Sequence, residues 1–167
     1  AGSSTIIFDA PGATFDARER QAELPIGFHF NGKEFVYNNQ INLRRLAVDV
    51  DHFDAQGTEA RLSLKDDSYI KAGTFNNEGQ IRNPDAMIYW NVDDFTNDAK
   101  LNEQIRYFIH SWNAYNHDRI VDYVPDEGSG SIYAKGHAGY IGTLNEKGGK
   151  LNSGENGTTL YVGNSKL

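Results

Sequence analysis

The chain has 167 residues, no cysteine and a formal net charge of −7. That length fits one domain of ordinary size with a sizeable core. The lack of thiols excludes disulfides, cysteine-ligated zinc and thiolate catalysis. The acidic balance argues against a nucleic-acid partner, which would need a basic face, and no apolar run approaches the ~18 residues of a membrane-spanning helix.

In chain order, Ala1-Gly2-Ser3-Ser4 has neither the charged nor the apolar region of a secretory signal. It fits a mature end left by a removed signal, or an Ala exposed after Met removal. Residues 1–25 read as an N-terminal arm or first strand, and 26–167 as a single β-rich domain. "STIIFDA" forms one short strand, broken by Pro11-Gly12. Asp16 to Glu19 loosely fits a helical start that Pro25 stops. "GFHFNGKEFVY" is the clearest local signal. Asn31-Gly32 between aromatic runs predicts a hairpin closed by a two-residue type I′ turn.

"INLRRLAVDV" and "EARLSLK" read as strands, the second alternating through Ala60, Leu62 and Leu64. "DAMIYWNV" reads as a strand buried on both faces. From Asp98 to Trp112 no Gly or Pro occurs, and Leu101, Ile105, Phe108 and Trp112 recur at helical spacing. This predicts one α-helix near 98–112, capped by Asn97 or Asp98. "RIVDYV" returns to strand. The tail carries ten of the seventeen Gly and reads as short hairpins, with a turn at Lys147-Gly148-Gly149-Lys150. No internal repeat of fixed period is apparent. The fold expected is mainly β: an antiparallel sandwich or barrel of roughly eight to ten strands with one helix. Phe30, Phe35, Leu62, Ile88, Trp90, Ile105, Phe108 and Trp112 are expected to be buried.

Four groups of residues invite a chemical reading. "FIHSWNAYNHD" holds His110, Trp112, His117 and Asp118. A carboxylate beside imidazole can make a general base, yet the two histidines lie seven apart rather than at the i, i+4 spacing of a metal helix. A helix end running into a polar loop is the reading favoured. Asp49, Asp51, Asp54 and Glu59 form an oxygen-rich stretch suited to calcium, but the EF-hand pattern fails, and turn chemistry explains the same carboxylates. In "KGHAGYIG", glycines at three-residue spacing mark bulges or close backbone approach rather than a nucleotide loop. The aromatics Trp90, Trp112, Tyr115, Tyr133, Tyr140 and Tyr161 include candidates for a sugar-stacking surface. Of these, Trp112, Tyr115, Tyr133 and Tyr140 are the expected ligand-binding set. Asn156 begins an N-x-T glycosylation triplet.

These observations leave three classes of function. The first is a non-enzymatic structural or assembly subunit of an extracellular filament or virus particle. It would self-associate through edge strands or an arm built on Ile6-Ile7-Phe8. The second is a lectin-like carbohydrate-binding module. The third is a hydrolase or lyase using His110, His117 and Asp118. No cofactor is expected, with calcium as the alternative. The expected partners are copies of the chain or a glycan, with neither nucleic acid nor membrane insertion, at an extracellular or virion surface.

Overall fold

The computed structural model describes residues 2–19, 27–99 and 129–166. Its ten strands, in chain order, are β1 (Thr5–Phe8), β2 (Thr14–Asp16), β3 (Phe28–Tyr37), β4 (Gln40–Asn42), β5 (Leu46–Ala55), β6 (Arg61–Ser63), β7 (Ser68–Asn77), β8 (Gln80–Asp98), β9 (Ser131–Lys147) and β10 (Lys150–Lys166). The chain is mainly β, as expected, but the direction of its strands is not. All ten belong to one sheet whose pairings between strands are parallel, curled into a half-barrel. The antiparallel sandwich or barrel is therefore corrected.

The register explains how the described strands pair in parallel without crossover helices between them. Phe28 pairs with Leu46, Ala47 with Tyr69 and Ser68 with Ile88, so partners lie 18, 22 and 20 residues apart. Each coil runs along a long strand, turns a corner, and returns through a short one. The rest of the coil serves as the crossover that parallel strands require. Ile88 pairs with His137 at 49 residues' distance and His137 with Thr158 at 21, so one coil carries the intervening segment 99–130.

Every long strand also bends at one fixed place. Pairing skips Lys33, Asp51, Gly73, Asp93, Gly142 and Gly163 in successive coils. The inward set shifts parity there: Val48 and Val50 are buried before the bend in β5, Phe53 and Ala55 after it. A long strand thus presents two outer faces, and the short strands present a third.

Inside, like stacks on like. Phe35, Phe53, Phe75 and Phe95 form a continuous ring stack, with centroids 5.3, 4.8 and 4.7 Å apart and planes within 24°. A second stack, Ile41, Leu62, Ile81 and Ile132, lines the short strands. Burying each of these side chains contributes roughly 1.5–3 kcal/mol, and stacking similar residues at the strand spacing of about 4.8 Å brings each into contact with its neighbours above and below. At one corner Asn77 and Asn97 are fully buried and bond to each other. Asn77 Nδ2 donates to Asn97 Oδ1 at 3.0 Å, and Asn97 Nδ2 to the Lys150 carbonyl at 3.1 Å.

Several local expectations are also corrected. Asn31-Gly32 does not turn; both lie within the continuous β3, where they pair with Asp49 and Val50. Gly32 is needed for closeness rather than for turning, because a Cβ there would overlap the Phe30 ring and the Ser4 carbonyl. Asp98 ends β8 and Ala99 is not helical; residues 100–112, where the rest of the expected helix falls, lie outside the described residues. "DAMIYWNV" alternates, with Ile88, Trp90 and Val92 buried, Tyr89 half-buried and Asn91 exposed. The tail is two long parallel strands rather than hairpins, and Gly148-Gly149 link them at a corner of the coil, with Gly148 at positive φ. Ile6-Ile7-Phe8 pairs with Phe35, Val36 and Tyr37 of the same chain, so the arm is the first rung of its own sheet. Of the side chains expected in the core, Phe35, Leu62, Ile88 and Trp90 are buried, while Phe30 is only partly so. Ile105, Phe108 and Trp112 lie outside the described residues.

Candidate ligand-binding face

Ahead of the bend, the outward positions of the long strands form two tracks running from coil to coil. One contains Ala47, Tyr69, Tyr89, Ala138 and Thr159; the other contains Asp49, Lys71, Asn91, Tyr140 and Tyr161. The tyrosines of four successive coils thus share one face. Tyr69 is 53% exposed, Tyr140 47% and Tyr161 76%. Tyr69 and Tyr89 stack with centroids 4.9 Å apart and planes at 12°. Tyr140 reaches toward the next coil, its hydroxyl 3.6 Å from where a Gly163 Cβ would stand. Aromatic side chains suit strand positions, but single exposed ones are ordinary. Rings aligned on one face are not, and exposed apolar patches mark binding surfaces.

This face carries little net charge. Among the described residues of the two tracks the one cation, Lys71, lies 3.9 Å from the carboxylate of Asp49, both partly exposed. Beyond the bend the second face is polar from β5 onward, after Ile7 and Val36 at its first rungs. Asn76 Nδ2 donates to Asp54 at 3.0 Å, Asn145 Nδ2 to Asp94 at 2.9 Å, and the His52 ring meets the Thr74 hydroxyl. On the short-strand side, Gly12, Ala13, Thr14, Gln40, Glu59 and Arg61 line a shallow groove of about 240 Å³.

The residues singled out in the sequence do not converge. Tyr140 lies on the aromatic face, whereas Tyr133 lies on the short-strand side with the Arg82 guanidinium 5.4 Å from its ring centre. Trp90 is buried and closed to any ligand. Asp49, Asp51, Asp54 and Glu59 are divided between the aromatic face, the bend, the polar face and the groove. Among the described residues no three His, Asp or Glu are grouped as a metal site would need. His110, Trp112, Tyr115, His117 and Asp118 lie outside the described residues. Gly139 follows the close-approach expectation, since a Cβ there would overlap the Trp90 carbonyl. Tyr69 and Tyr89 are not among the candidates that composition suggests, because only coil-to-coil register brings them beside Tyr140 and Tyr161.

Interior electrostatics are quiet. His137 is buried in the coil stack, and burial pushes its pKa below the ordinary histidine value despite the opposing pull of the Asn152 carbonyl. The buried Tyr37 hydroxyl is pushed up, first by burial and then by the charge of Asp54. A scan against protein-family models, a search of curated proteins and a search of solved structures each found no match.

Proposed function

We propose that the protein is a non-enzymatic carbohydrate-binding module that holds a glycan on the tyrosine face of its coil stack. One observation carries this reading: Tyr69, Tyr89, Tyr140 and Tyr161 present aromatic surface on a single outer face across four consecutive coils. A tyrosine ring covers the apolar face of a pyranose, and neighbouring Asn91 and Lys71 offer hydrogen bonds to its hydroxyls. An extracellular or particle-surface setting fits a glycan ligand. The test is a glycan array probed with folded protein, with and without calcium. Capture of glycans that is lost in a Tyr69→Ala/Tyr161→Ala double variant supports the reading; a blank array from well-folded protein removes it.

A second reading, self-association as an assembly subunit, rests on a different feature. Among the described residues β10 pairs with β9 alone, and a backbone edge of this kind can take a further strand. The arm does not support this reading, because β1 docks within its own chain. Sedimentation across a hundredfold concentration range decides it: a monomer throughout counts against assembly.

A further inference from the structure

The sequence has two Asn-Gly pairs, Asn31-Gly32 and Asn156-Gly157. An asparagine before a glycine can react with its own backbone. The glycine nitrogen attacks the carbonyl carbon of the Asn side chain, ammonia leaves, and a five-membered imide closes. Water then opens the imide at either carbonyl, giving aspartate or isoaspartate. Glycine favours the closure because no Cβ shields its nitrogen and its backbone rotates freely. Both asparagine side chains are exposed, so exposure does not separate the two pairs. Their backbones do.

At Asn31 the closure is blocked. Asn31 and Gly32 lie inside β3, in register with Asp49 and Val50. Asn31 Oδ1 accepts a hydrogen bond from the Gly2 amide at 3.1 Å, and the neighbouring Lys33 N–H donates to the Ser4 carbonyl at 2.7 Å. The space around Gly32 is filled by the Phe30 ring and that same carbonyl. An imide could close there only after the rungs had opened locally.

Asn156 is set differently. Pairing of β10 with β9 stops at Ser153 and resumes at Gly157, so Asn156 stands where the ladder is interrupted. Gly157 has a φ of 71°, and a Cβ there would meet nothing within 4 Å. The Asn156 Nδ2 contacts Met87 Sδ at 3.5 Å, and a thioether is a weak acceptor. We infer that Asn156 is a self-modification site, converting in the folded protein to aspartate and isoaspartate while Asn31 stays intact. The new carboxylate stands next to Glu155, which pairs with Lys135 at 3.1 Å. It adds a negative charge to a chain already at −7 and can no longer donate to Met87. The isoaspartate product also places one extra carbon in the backbone at that corner.

The experiment incubates folded protein at 37 °C and pH 8 and follows both asparagines by peptide mass spectrometry. A bacterial host supplies the protein, so that the N-x-T triplet carries no glycan. Asn156 is expected to convert at least about tenfold faster than Asn31, whose ladder must open first. In urea the two should convert at similar rates, since the same dipeptide is then equally free. Asn156→Gln, whose imide would need a six-membered ring, should lose the main acidic variant seen on anion exchange. An Asn156 that stays unconverted in the folded protein, an Asn31 that keeps pace with it, or an acidic variant undiminished in Asn156→Gln would overturn the inference.

Discussion

The indole Nε1–H of Trp90 donates to Nδ1 of His137 across 3.0 Å inside the coil stack. Indole can only donate, so Nδ1 must be the acceptor, and the hydrogen sits on Nε2, which lies 2.9 Å from the Asn152 carbonyl. Both ring nitrogens are thereby used in the neutral form. A second proton on Nδ1 would set two donors against each other. Burial, which lowers the His137 pKa, acts in the same direction.

That linkage has a definite sign. Unfolded histidine titrates near 6.5, and the folded protein holds His137 neutral below that value. The unfolded chain therefore binds more protons in mild acid, and stability rises with pH. The contribution of His137 is full above 6.5 and shrinks as pH falls through that value toward the lower folded pKa. Urea unfolding at pH 5 and pH 7.5 is expected to show a lower midpoint in acid for the wild type. In His137→Gln the difference should be smaller, and an unchanged difference would mean that His137 is not the group responsible.

Phe75 stands between Phe53 and Phe95 in the ring stack and touches Trp90 edge-on. Phe75→Ala should cost about 3–5 kcal/mol by leaving a cavity that neighbours on both sides cannot close. Phe30→Ala, at a half-buried position near the arm, should cost clearly less. Denaturant titration of both variants checks the order, and equal losses would contradict the packing described.

Asn97→Ala removes the acceptor for Asn77 and the donor for the Lys150 carbonyl in a buried corner. A loss of about 1–3 kcal/mol is expected, the cost of polar groups left without partners. Asn97→Asp should be worse, since it places a charge in a buried corner and turns a donor against the Lys150 carbonyl into an acceptor. A neutral result for both, measured by thermal unfolding, would show that the corner is held by other contacts.

Gly32→Ala forces a methyl group against the Phe30 ring and the Ser4 carbonyl. It should destabilise the protein by itself, and by less when Phe30 is already Ala. A double-mutant cycle in urea should therefore give a coupling above ~0.5 kcal/mol, the range for residues in contact. Strict additivity would fit a residue selected for turning instead.

The same glycine shows how much of this fold is legible in the sequence. Asn-Gly between aromatic runs is a strong turn signal, and nothing local distinguishes it from a close approach of a neighbouring rung. Alternation is equally ambiguous. Parallel sheets covered on both sides read as continuous apolar runs. Here one side of every strand faces outward, and the pattern imitates an antiparallel sheet. The signal that separates the two is a repeat: "EFVYN", "HFDAQ", "TFNNE", "DFTND" and "TLNEK" are the same structural position in five coils. Uneven spacing of 18, 22 and 20 residues, then a long insertion, hides it from a search for one fixed period. Tyr140 could be suspected as a surface aromatic from composition, but Tyr69 and Tyr89 join it only once coil register is known.

Ring-resolved NMR of tyrosine-labelled protein tests the tyrosine face most directly. Titration with a glycan that the array captures should shift the ring signals of Tyr69, Tyr89, Tyr140 and Tyr161 together. Tyr133, held under Arg82 on the short-strand side, should stay unmoved. Shifts confined to Tyr133, or the absence of any ring shift at saturating ligand, would contradict a glycan bound on this face.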